Sequence, residues 1–125
     1  MREKILIIDA EKEFALYVKE NLQLISNYTV ITASRGKKGI RAALKERPDL
    51  ILLDVMIPGM DGFEVLKRLK RNEKTYHIPV IMLTAKNEDE FKITASGLSA
   101  EDTIVKPVEA KVLRTKIRSV LAQDL

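Results

Sequence analysis

Cysteine is absent from the 125 residues, and histidine occurs once, at His77. The first absence excludes disulfides, zinc–thiolate centres and cysteine nucleophiles. The second excludes a multi-histidine metal site, and His77 itself reads as a surface loop residue ahead of Pro79. No run approaches the roughly 18 apolar residues that a membrane span needs. Met1-Arg2-Glu3-Lys4 leads straight into a strand-like segment without a secretory signal, so the expectation is a cytoplasmic chain with no membrane association. Aromatic residues make up 5% of the sequence, which gives no stacking platform for nucleic acid. Neither glycine pattern of a nucleotide loop, Gly-x-x-x-x-Gly-Lys-Ser/Thr or Gly-x-Gly-x-x-Gly, is present. Gly36, Gly39, Gly59 and Gly62 are therefore read as backbone devices.

What is present suits one domain over residues 1–125, with no output domain expected in the chain. A hydrophobic content of 46% allows a core of useful size at this length. The net charge of +4 is mildly basic, and solvated helix faces account for it more simply than a nucleic-acid surface does.

The chain is organised around Leu50 to Arg71. An apolar run, Leu50 to Leu53, ends abruptly in the carboxylate of Asp54. A turn marked by Pro58, Gly59 and Gly62 follows, and then a helical pattern begins. A short all-apolar run fits a strand buried on both faces of a parallel sheet, and Asp54 then lies at its carboxyl end, where open α/β sheets place their sites. The same unit recurs along the chain. Strands are predicted at Lys4–Ile8, Tyr28–Ala33, Asp49–Asp54, Pro79–Leu83 (running out at Thr84) and Thr103–Val105. Between them, Phe14, Val18, Leu22 and Ile25 share one face of a helix over Glu11 to Ile25. Ser34 is a candidate N-cap for a helix with Ile40, Ala43 and Leu44 inward, ended by Pro48. Asp61 and Glu64 have capping-box spacing ahead of Val65, Leu66 and Leu69, as have Asn87 and Glu90 ahead of a weakly patterned helix reaching about Ser96. Pro107 suits the first turn of the last helix, Val108 to Leu121, which turns Leu113, Ile117 and Val120 inward. Five strands alternating with five helices predict a flavodoxin-like, doubly wound parallel sheet of order 2-1-3-4-5.

In that order the first and third strands are neighbours, and Asp9 and Asp54 end them on one edge, with Thr84 and Lys106 at the ends of the fourth and fifth. Two carboxylates in one crevice repel unless a cation joins them, and a hard ion such as Mg²⁺ meets that need. A carboxylate nucleophile, a metal, a lysine and a hydroxyl together match the requirements of phosphoryl transfer.

Ile7-Ile8-Asp9, Leu52 through Gly62, Met82-Leu83-Thr84-Ala85 and Val105-Lys106-Pro107 resemble the receiver domain of bacterial response regulators, and the resemblance covers essentially the whole chain. It implies a signalling module of a two-component system and not an enzyme. By resemblance Asp54 is the phosphoacceptor, serving a histidine kinase or phosphotransfer protein. Asp9 belongs to the acidic pocket, the Met56 backbone carbonyl is a metal ligand, Thr84 is the switch hydroxyl and Lys106 pairs with the phosphoryl group. The Lys106–Pro107 peptide is expected to be cis, and Ala85 leaves room for the donor. Docking of a downstream protein or of a second copy is expected through the fourth predicted helix, the fifth strand and the fifth predicted helix, with no direct contact to nucleic acid.

Two positions depart from the family pattern. The second of the two adjacent acids is replaced by Ala10, whose methyl group ligates nothing. Loss of a supporting partner alone costs about 10- to 100-fold in metal affinity, so weakened Mg²⁺ binding is expected, with Glu11 assigned to the first helical turn and pointing elsewhere. Thr103 stands where the family carries the aromatic switch residue. These departures leave a second reading open, a divergent receiver that binds its partner without phosphorylation. Other classes fit less well. A phosphatase with an aspartate nucleophile needs a second Asp where Met56 stands, and a flavin or nucleotide module needs a phosphate loop in place of the acidic Asp9-Ala10-Glu11.

Overall fold

The structure, a computed structural model, describes residues 2–85 and 100–123. Five parallel strands, β1 (Lys4–Ile8), β2 (Thr29–Ala33), β3 (Leu50–Asp54), β4 (Val80–Thr84) and β5 (Asp102–Val105), form one sheet in the order β2-β1-β3-β4-β5. Four helices lie among the described residues: α1 (Lys12–Ile25), α2 (Gly36–Glu46), α3 (Gly62–Arg71) and α4 (Ala110–Ala122), the last corresponding to the fifth helix of the sequence pattern. The helix predicted after Asn87 lies outside the described residues.

The alternation of side chains along each strand sorts the core into two layers. Ile5, Ile7, Leu50, Leu52, Ile81, Leu83 and Ile104 pack with Val18 and Leu22 of α1 and Leu113, Ile117 and Val120 of α4. Leu6, Ile8, Ile51, Leu53, Val80 and Met82 face the other way, onto Ala43 of α2 and Val65, Leu66 and Leu69 of α3. Every residue of β3 and β4 is buried. This is why those strands read as unbroken apolar runs, since polar side chains have no solvent face to occupy. Each fully buried Leu or Ile contributes about 1.5–3 kcal/mol of transfer free energy.

Local detail departs from the sequence pattern at three points. Ile25 is 65% exposed. The chain turns back immediately after it, with the Ser26 and Tyr28 N–H groups both donating to the Leu22 carbonyl, and Tyr28 joins the core in its place. Ser34 does not cap α2. The N-cap position is Arg35, without a side-chain cap bond, and α2 opens on Gly36, whose backbone lies close against Met60 and Val65. Pro107 precedes α4 rather than opening it, because Glu109 is the N-cap, and the Lys106–Pro107 peptide is cis. The start of α3 follows the expected pattern, since the Asp61 side chain accepts a hydrogen bond from the Glu64 N–H at 3.0 Å.

Gly62 fixes how closely α3 approaches the end of β3. Its N–H donates to the Val55 carbonyl at 2.9 Å, and a Cβ placed there would overlap the Asp54 carbonyl oxygen and lie 2.7 Å from Val55 Cα. Backbone does not yield as a side-chain tip does. Gly62→Ala is therefore expected to lower stability by about 1–3 kcal/mol in chemical denaturation, the range for overpacking. A denaturation midpoint equal to that of the unsubstituted protein would show that the approach is not tight.

Candidate functional site

The β1–β3 register pairs Ile8 with Leu53, so Asp9 and Asp54 emerge side by side at the next position. Asp9 is held there by its own N–H, which donates to the Ala33 carbonyl at 3.0 Å, while Val55 N–H donates to Leu83 on the other side of β3. On β4, Leu83 pairs with Asp54, and Thr84 pairs with Val105 on β5. The Lys106 N–H donates to the Thr84 carbonyl at 2.6 Å, which carries the lysine past the end of β5 and back toward the centre of the sheet. The four residues expected at this edge are all there.

Asp9 and Asp54 are 1% and 3% exposed. The Lys106 ammonium lies 2.8 Å from Asp9 Oδ2, 3.0 Å from Glu11 Oε1 and 3.7 Å from Asp54 Oδ1. It also sits over the Phe14 ring, 4.3 Å from its centroid, a cation–π contact on the apolar side of the site. Asp54 Oδ1 accepts the Met56 N–H at 3.3 Å. Thr84 is fully buried at the end of β4.

Electrostatically the site is short of positive charge. Burial and the neighbouring Asp9 charge push the Asp54 carboxyl up to about 6, against the opposing pull of Lys106 and the Met56 hydrogen bond. Burial works against the Lys106 charge, but hydrogen bonds to Asp9 and Glu11 and the charges of Asp9 and Asp54 outweigh it, so the Lys106 pKa is raised. One ammonium thus serves three carboxylates, Asp9, Glu11 and Asp54, whose oxygens lie within 4.8 Å of one another. All of these donors are hard oxygen atoms, and such a set fits Mg²⁺.

The placement of Glu11 corrects the expectation that it points elsewhere. It is not in the helical turn. It is the N-cap of α1, extended at φ −82° and ψ 96°, and makes no side-chain capping bond. Its N–H donates to Asp9 Oδ1 at 2.8 Å, a tight local turn of the kind Asp favours, and its side chain reaches Lys106. An Asp two residues earlier was the available signal. Phe14 was read only as a core residue. It does pack against that core, but its contact with the Lys106 ammonium has no counterpart in sequence spacing.

The model of the family described as the response regulator receiver domain matches residues 5–118. The alkaline phosphatase synthesis transcriptional regulatory protein PhoP of Bacillus subtilis is 39% identical over 124 residues, covering 99% of this chain and 50% of PhoP. The transcriptional regulatory protein AfsQ1 of Streptomyces coelicolor is 45% identical over 94 residues, covering 75% of this chain and 40% of that protein. The chain therefore spans about half the length, or less, of these curated relatives. Among solved structures, the chemotaxis protein CheY4 of Vibrio cholerae is similar with a TM-score of 0.86 at 30% identity, covering 96% of this chain and 99% of that one.

The raised Asp54 value has a direct consequence for stability. A carboxyl that binds its proton more tightly when folded destabilises the fold once it ionises. The penalty is absent below the unfolded value near pH 4, grows up to about pH 6 and is complete above it. Asp54→Asn, which removes the charge and keeps the shape, should stabilise the protein by about 1–3 kcal/mol at neutral pH and by little at pH 4. Urea denaturation of both proteins at the two pH values tests this, and an Asn variant less stable at neutral pH would refute it.

Proposed function

This chain belongs to the response regulator receiver domain family, and from that premise we propose that it accepts a phosphoryl group on Asp54 from a histidine kinase or phosphotransfer protein and passes the change to a partner-binding face. The observation that carries this reading is the buried site at the carboxyl edge of the sheet, in which Lys106 pairs with Asp9 and lies within 3.7 Å of Asp54. In the transfer, a carboxylate oxygen of Asp54 bonds to phosphorus as the phosphorus–nitrogen bond of the donor breaks. The imidazole departs with the bonding electrons and regains a proton from solvent. Ionised Asp54 is the reacting form, and a carboxyl titrating at about 6 supplies it at neutral pH.

Each surrounding group has a role in that transfer. Asp9 and Asp54, with the Met56 backbone carbonyl, would hold Mg²⁺. When bound, the ion supplies positive charge to the transferred oxygens. Lys106 supplies a second positive charge, held in register by its hydrogen bonds and by the Phe14 ring. Thr84 offers a hydroxyl at the end of β4. The exposed Ala85 next to it leaves space over the pocket.

The output side is β5 with α4 and the residues predicted to form the preceding helix. Thr103, Val105, Val112 and Lys116 border a surface recess there. Thr103 replaces an aromatic side chain, so the switch in this chain works without a swinging ring. A downstream protein or a second copy is the occupant this face suits. The relatives' names attach transcriptional control to proteins about twice as long, and any DNA contact in such an arrangement belongs to the part this chain does not span.

The test is covalent. Incubation with a small phosphodonor and Mg²⁺ should add the mass of one phosphoryl group to the intact protein, and Asp54→Asn should abolish it. If the unsubstituted protein gains none even at high Mg²⁺ while partner binding persists in Asp54→Asn, the domain is instead a phosphorylation-independent interaction module.

A further inference from the structure

We infer that Glu11 joins Asp9 and Asp54 as a metal-ligating acid of this site, in the part that the family resemblance gives to position 10. The inference rests on the proposed reading that this pocket holds Mg²⁺. Three features of the chain converge on Glu11.

The first is backbone conformation. The Asp9 side chain captures the Glu11 N–H at 2.8 Å and keeps residue 11 extended, one residue ahead of α1. A glutamate in the helical turn would project away along the helix face. At this N-cap its side chain turns back over the strand ends. The second is what the carboxylate does there. A shorter Asp side chain at the N-cap ordinarily accepts a hydrogen bond from the first helical turn. Glu11 makes no such bond, and its Oε1 accepts from the Lys106 ammonium at 3.0 Å. The third is charge. Lys106 is shared among three carboxylates, so the pocket keeps an excess of negative charge that one ammonium does not neutralise. Glu11 is also the most accessible of the three, its side chain being 67% exposed while Asp9 and Asp54 are buried. An arriving hydrated cation therefore meets it first.

Reach explains the exchange of positions. Ala10 is half-buried beside the pocket and offers only a methyl group. A glutamate is longer by a methylene than an aspartate at position 10 would be, and the Asp9 turn supplies the direction. A Glu11 carboxylate turned to the cation would leave Lys106 with Asp9 and Asp54 as its remaining carboxylate neighbours.

Calorimetric titration of the metal-free protein with MgCl₂ tests the inference without any phosphoryl transfer. The unsubstituted protein should bind Mg²⁺, and Glu11→Gln should bind it about tenfold or more weakly, in the range seen when a metal site loses a supporting contact. The double variant Ala10→Asp/Glu11→Gln should recover the affinity, because the two positions supply the same donor. Thermal midpoints without metal check that each variant is folded. A purely structural Glu11, useful only for holding Lys106, would move those midpoints and leave the Mg²⁺ affinity unchanged. Unchanged or tighter binding by Glu11→Gln overturns the inference, as does a lack of Mg²⁺ binding by the unsubstituted protein. Phosphoryl acceptance is scored separately by mass. Weakened Mg²⁺ binding in Glu11→Gln with no phosphorylation of Asp54 would leave Glu11 as a ligand and remove the phosphoacceptor reading.

Discussion

Two carboxylates buried side by side constrain everything else at this site. Asp9 and Asp54 lie at the ends of adjacent strands, nearly without solvent, and the Asp9 charge makes ionisation of Asp54 harder. A fold tolerates such a pair only when positive charge is delivered to it, and Lys106 is the delivery. Its ammonium is fixed between Asp9 and Glu11 and lies over the Phe14 ring, and its backbone is tied to Thr84. The β4–β5 pairing and the bond from the Lys106 N–H to the Thr84 carbonyl fix the backbone from which that one charge extends.

The sheet order makes the arrangement possible. With β1 and β3 central and adjacent, the first two crossovers lead away in opposite directions, and a crevice opens between the loops that follow them. Asp9 and Asp54 line that crevice because each is the first residue beyond an apolar strand interior that admits no charge. Gly62 lets α3 begin directly beneath Asp54, and α1 begins just past Asp9. The helices thus fix the floor of the site while the strand ends present its chemistry.

Much of this was legible in the sequence because it depends on pattern. Apolar runs of strand length closing on Asp9, Asp54 and Thr84 reveal both the strands and the polar edge, and the Asp61/Glu64 spacing marks the start of α3. What was not legible depends on geometry between particular atoms. Glu11 is helical by pattern and extended in fact, because one Asp9 oxygen takes its N–H. Ile25 falls on the apolar stripe of α1 yet is exposed, because the chain reverses one residue later. Ser34 looks like a better cap than Arg35, but the close packing of Gly36 against Met60 and Val65 decides where α2 begins. In each case a local preference yields to a contact made elsewhere in the fold.

Under the proposed function, the same tie that stabilises the site would also carry its signal. A ligand shifts a conformational equilibrium only by interacting differently with its two states. Here the group whose interactions must differ is the Lys106 ammonium, paired with Asp9 and Glu11 in the state described. A phosphoryl group on Asp54, whose Oδ1 lies 3.7 Å from the ammonium, would offer it a more highly charged partner. Its backbone cannot follow freely, because the N–H is bonded to Thr84 and the preceding residues, Thr103 to Val105, are strand partners of Met82 to Thr84. Re-pairing of the ammonium would therefore load β5 and the end of β4 together, and β5 is an edge strand in which only Ile104 is buried. Of the strands that touch the site, β5 has the fewest buried contacts to lose by moving. Under the proposed function, displacement of that edge is the change that a partner on the β5–α4 face would read.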